Sequence, residues 1–124
     1  MRGNNYGLKT RDMAKAGRFA MNREAANKAA SFSSAATVAD RFDRFADFAK
    51  AEGLRRLEEV TREHVASYGQ DLAERVANGE LLPAYAQNLV SAANTVMDAA
   101  TRGQWQSVSP TKECGIAHRS SVRE

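Results

Sequence analysis

Apolar residues along the chain recur at helical spacing in four successive segments. From about Leu8 to Ser31 the stretch LKTRDMAKAGRFAMNREAANKAAS holds mostly good helix formers and no proline, although Gly17 costs about 1 kcal/mol relative to alanine. At 100° per residue Met13, Ala16, Phe19 and Ala20 share one side, while Arg11, Lys15 and Arg18 form a separate basic stripe. The apolar face is thin, so this helix depends on docking for its stability. A second segment, SFSSAATVADRFDRFADFAKAEG, offers Ser33 or Ser34 as an N-cap and Gly53 as a stop. Its residues Val38, Phe42, Phe45, Phe48 and Ala49 follow core-facing spacing. On the opposite side lie Asp40, Arg41, Asp43, Arg44 and Asp47, with Asp40 and Arg44 spaced for a surface ion pair.

In the third segment Leu54, Leu57 and Val60 are placed to close the core, and Thr61 is placed to cap a helix with Glu63 in its first turn. Val65, Tyr68, Leu72 and Val76 form its apolar stripe, and Asn78-Gly79 ends it. The fourth helix opens at Leu82-Pro83, since proline's missing donor is unused at a first helical position, and ends before Gly103. Tyr85, Leu89, Ala92, Ala93, Val96 and Ala100 point inward. After Trp105 helical periodicity is lost and Ser, Pro and Gly gather, as in a linker. No repeat, no low-complexity tract and no strand-like alternation interrupts this order, so the expected fold is all-α.

Length adds the expectation of one compact core, because 124 residues suit a single domain. Hydrophobic residues at 43% and charged residues at 27% are ordinary for a soluble globular chain. The net charge of +3 permits an acidic partner without requiring one. Its distribution says more: before Ser34 there are seven bases (Arg2, Lys9, Arg11, Lys15, Arg18, Arg23, Lys28) against two acids (Asp12, Glu24), an excess of +5. The single cysteine, Cys114, excludes an intramolecular disulfide and fits a reducing, cytoplasmic setting. Apolar runs are too short for a membrane span, and the N-terminus does not read as a signal segment.

Catalytic constellations are not found. His64 and His118 are the only histidines, and neither belongs to a nucleophile elbow, a zinc motif or a phosphate loop. Cys114 and His118 are four apart, but two ligands do not make a three- or four-ligand site, so no metal or other cofactor is expected. The stripe Arg11, Lys15 and Arg18 reads either as an ordinary solvated face or as a set of phosphate contacts. On the fourth helix Gln87, Asn88, Ser91 and Asn94 stand where Lys, Glu and Arg are missing from Pro83 to Met97. Such groups either keep an exposed face wet or bond base edges and phosphate oxygens.

The order of a Ser-capped aromatic-rich helix, VTREHVASYGQDLAERV, LLPAYAQNLVSAANTVMDAA, RGQW and VSPTKECGI resembles the N-terminal core-binding region of tyrosine recombinases, the phage-integrase family, over roughly residues 30 to 118. Leu82-Pro83-Ala84, Val90-Ser91-Ala92-Ala93 and Val108-Ser109-Pro110 carry the likeness. It implies a small, orthogonal, SAM-like bundle of four to five helices at 34–103, preceded by a basic helical segment at 1–33. It also implies that 104–124 is a linker toward a separate catalytic domain, to which strand cleavage and religation belong. It further implies binding of recombination-site duplex DNA, with neighbouring protomers on that DNA, through the second and fourth helices. By position these contacts fall on Arg41 and Arg44 and on Gln87, Asn88 and Ser91. The competing reading is a helical protein-interaction module whose first helix docks on a partner.

Overall fold

The computed structural model describes residues 12–28 and 32–116. They form four helices, α1 (Met13–Lys28), α2 (Phe32–Ala51), α3 (Arg62–Ala77) and α4 (Pro83–Ala100), with a 3-10 turn at Leu57–Glu59. No strand occurs among the described residues, and the fold is a small all-α bundle. None of the helices described is long and apolar enough to cross a membrane.

Local chemistry accounts for most boundaries. The Asp12 carboxylate accepts the Ala14 N–H at 3.0 Å and so satisfies one free donor at the start of α1. Helix α2 already runs through Ser33 and Ser34, which therefore lie inside it rather than before it. Ala35, in the first turn of this longer helix, is buried in the core. Gly53 ends α2 at φ 90° while the Leu54 N–H returns to the Ala49 carbonyl at 2.9 Å. Gly79 does the same for α3 at φ 81°, where the Glu80 N–H reaches the Arg75 carbonyl at 2.8 Å. At the start of α3 the Thr61 hydroxyl accepts the His64 N–H, and the Thr61 N–H donates to His64 Nδ1 at 2.9 Å. His64 is thus half-buried and spent on a reciprocal cap, the role a glutamate or glutamine plays more often.

The core is built around aromatic rings of α2. Phe42 and Phe45 are wholly buried with centroids 5.6 Å apart, and Phe45 meets the edge of Tyr68 on α3 at 5.2 Å. Leu57, Val60, Val65 and Leu72 close it from the α2–α3 connection and from α3. Helices α2 and α4 each touch all three of the other helices and together form the centre of the bundle. For α4 that placement accounts for ten buried residues between Ala86 and Ala100.

Helix α1 belongs to this same core and contributes Met13, Ala16, Ala20, Met21 and Ala25. Phe19, expected on the packing face, is instead 46% exposed. The inward direction is set by Gly17. A β-carbon at that position would come within 2.5 Å of Phe42 Cδ2 and 3.2 Å of Val96 Cγ1, so the α1 backbone lies directly on the Phe42 ring. This close approach rotates Phe19 off the contact. The helix-propensity cost of Gly17 is therefore the condition for docking α1.

Two outcomes follow for denaturant titrations followed by circular dichroism. Gly17→Ala should lower stability by about 1 to 3 kcal/mol, because overpacking against Phe42 exceeds the gain of about 1 kcal/mol in propensity. Phe45→Ala should cost about 3 to 5 kcal/mol, the value for emptying a buried aromatic site.

Candidate nucleic-acid interface

The residues expected to meet DNA are distributed over three helices. Arg11 lies outside the described residues. Lys15 is exposed on α1. Arg18 is drawn across to α2, where its guanidinium lies 3.0 Å from Asp40 Oδ1 and 2.9 Å from Asp43 Oδ2. Asp40 thus pairs with Arg18 and not with Arg44 as its spacing on α2 suggested. With two carboxylates around one cation, this seam has locally negative charge, so the basic stripe of α1 is not continuous. A neighbouring cation, Arg23, donates to the Ala99 carbonyl at 2.7 Å and ties α1 to the end of α4.

On α2, Arg44 is exposed and Arg41 half-buried. Neither takes part in an ion pair among the described residues. On α4, Gln87 and Asn88 are half-buried and Ser91 is exposed. Because α2 and α4 pack together, these side chains stand on two adjoining helices. Arg44 and Tyr85, in the first turn of α4, line one groove together with Phe48, Tyr68, Asp71 and Arg75. Ser91 lines another with Thr95 and the stretch Ser107–Pro110. The structure therefore brings Arg44 to the start of α4 but leaves Ser91 beside the C-terminal segment.

Asn94 does something the sequence pattern did not indicate. It is 8% exposed, and its amide faces the segment after α4. Nδ2–H donates to the Val108 carbonyl at 2.8 Å, while Oδ1 accepts the Val108 N–H at 2.9 Å and the Trp105 indole N–H at 2.9 Å. One side chain thus pairs with both backbone groups of Val108, as a neighbouring strand would. Asn94 is used inside the fold and is not offered to a ligand. A signal was present: Asn94 is four residues from Val90 and three from Met97, both wholly buried, so it stands on the apolar stripe.

Arg62, also unmarked in the sequence, holds the same segment from α3. Its guanidinium donates to the carbonyls of Gln106 at 2.9 Å and Ser107 at 3.0 Å and to both Glu113 oxygens at 2.9 and 3.0 Å. The Ser109 N–H donates to Glu113 as well, and this bond with the Arg62 charge holds the Glu113 carboxyl below the usual carboxylate range. Val108, Cys114 and Ile116 are buried beneath. The Cys114 sulfur occupies the space a β-carbon at Gly69 would need, so α3 accepts the segment only with glycine there. Residues 104–116 have the irregular backbone expected of a linker, but they are packed onto the bundle.

No group of three or more His, Cys, Asp or Glu is arranged to hold a metal ion among the described residues. Cys114 is buried, and that burial pushes its thiol up to about 11. His118 lies outside the described residues. No family model matches the chain, and neither the curated proteins nor the solved structures contain a match to it.

Replacing Asn94 by alanine should cost about 2 to 4 kcal/mol in a denaturation curve, because it leaves buried groups of Val108 and Trp105 without partners. Replacing Arg18 by alanine should cost under about 1 kcal/mol, since its two pairs are largely solvated.

Proposed function

We propose that this chain is a DNA-binding module of the core-binding type found in tyrosine recombinases. On this reading it grips duplex DNA at a recombination site through α2 and α4, and cutting and rejoining of strands belong to a separate domain. One observation carries the reading. Arg41 and Arg44 have no ion-pair partner among the described residues, and Arg44 lines a groove with Tyr85 at the start of a helix whose first four turns carry no charge and bear Gln87, Asn88 and Ser91. Free guanidinium groups supply salt-dependent attraction to phosphates. Small neutral amides and hydroxyls let a helix approach the duplex closely and bond to it. The pairing of Arg18 with Asp40 and Asp43 takes one of the three cations of the α1 stripe, which leaves Lys15 as the stripe's remaining described cation. The likeness of VTREHVASYGQDLAERV, LLPAYAQNLVSAA and VSP to the recombinase region supports the same assignment.

A protein-interaction module is the second reading, and exposed apolar side chains favour it. Phe19 on α1 is 46% exposed and Leu82 before α4 is 74% exposed. The two readings differ in salt response. Fluorescence anisotropy with labelled duplexes should show log affinity falling linearly with log salt, and Arg41→Ala with Arg44→Ala should reduce that slope by about 2. An unchanged slope removes α2 from the interface. Gln87→Ala with Asn88→Ala should narrow the difference in affinity between attachment-site and random duplexes. Retained discrimination would make these amides ordinary surface.

A further inference from the structure

Residues 105–116 are attached to the helices in an unusual way. Among the described residues no backbone–backbone hydrogen bond joins them to a helix. Their own backbone bonds close internally, from the Glu113 N–H to the Ser109 carbonyl at 3.0 Å and from the Ile116 N–H to the Pro110 carbonyl at 3.1 Å. The Lys112 N–H bonds the Ser109 hydroxyl within the same turn. Attachment to the bundle comes from two helix side chains, Asn94 and Arg62, and from the apolar contacts of Val108, Cys114 and Ile116. The helices thus keep every backbone bond of their own whether or not this segment is seated.

We propose that residues 105–116 form a latch that opens as one unit while the four helices stay folded, with Asn94 and Arg62 as its two catches. Local opening of this kind is expected where a compact segment shares no backbone ladder with the elements it covers and is held through side chains alone. Closed, the latch supplies Ser107, Val108, Ser109 and Pro110 as one wall of the groove whose other wall is Ser91 and Thr95 on α4. Open, it removes that wall and uncovers the apolar surface around Gly69 and Val90. The latch therefore switches the shape of one flank of α4. It stands apart from the DNA reading and does not require it.

The protein carries its own reporters, since Cys114 is its only thiol and Trp105 its only indole. The experiment is labelling of Cys114 by a water-soluble aromatic disulfide in the full chain over a range of low denaturant, beside helix content by circular dichroism. In the closed form the thiol is buried and protonated, so reaction reports opening. The latch predicts labelling with a weaker denaturant dependence than helix unfolding. Arg62→Ala and Glu113→Ala should each speed labelling by about three- to tenfold, and Asn94→Ala by about tenfold or more, as loss of their hydrogen bonds implies. The helical transition of the Arg62 and Glu113 variants should barely move, and Trp105 emission should shift red with labelling in Asn94→Ala. If Asn94→Ala does not fold, the Arg62 and Glu113 variants decide the matter. Labelling that follows helix unfolding step for step in the unsubstituted chain, or that is not faster in either of those variants, overturns the latch. Failure to bind duplex leaves these readouts unaffected, so loss of the DNA reading and loss of the latch are separate results.

Discussion

Helix α4 packs against α1, α2, α3 and the segment that follows it, and on its covered faces it carries small or apolar side chains with the single exception of Asn94. Charged groups at its buried positions would each have been desolvated or would have held a neighbour away. The alanines at 86, 92, 93, 99 and 100 instead let surrounding helices approach closely. The other elements are arranged around that requirement. The phenyl rings of α2 fill the volume the alanines leave, and Gly17 lets the α1 backbone lie on Phe42.

One amide interrupts this apolar surface. A buried asparagine is costly unless its donor and acceptor are both used, and Val108 with Trp105 uses them. The consequence is structural specificity. Apolar contacts of Val108 and Ile116 alone would allow the segment to slide along α4, whereas pairing with both backbone groups of Val108 fixes its register. Arg62 makes the arrangement directional, because its planar fork meets two carbonyls and a carboxylate in a single geometry. The polar residues of α4 thus differ in setting: Asn94 is buried and serves the fold, Gln87 and Asn88 are half-buried, and Ser91 is exposed.

Charge shows a similar division. The basic excess of the first third of the chain is real in composition, but α2 brings Asp40 and Asp43 against Arg18 and uses that charge within the molecule. Arg41 and Arg44 have no such partner among the described residues. A cation counts toward attraction of a polyanion only while its field is uncompensated, so the two arginines of α2 matter more to the proposed interface than the longer stripe on α1.

The four helices, their stops at Gly53 and Gly79, the Thr61 cap and the burial of Phe42, Phe45, Val65, Tyr68 and Leu72 were legible in the chain because they follow from periodicity and from capping chemistry local in sequence. The candidate contacts on α2 and α4 were legible only as residue types on helix faces. What the tertiary structure alone decided is which polar groups are used internally: Arg18 on carboxylates 22 and 25 residues away, Asn94 on a backbone 14 residues away, Arg62 on a turn up to 51 residues away. It also decided that Phe19 faces outward and Gly17 inward, since a thin apolar face tolerates several rotations and only the approach to Phe42 selects one. Periodicity reports the angle of a side chain about its own helix; its partner depends on how separate helices are brought together.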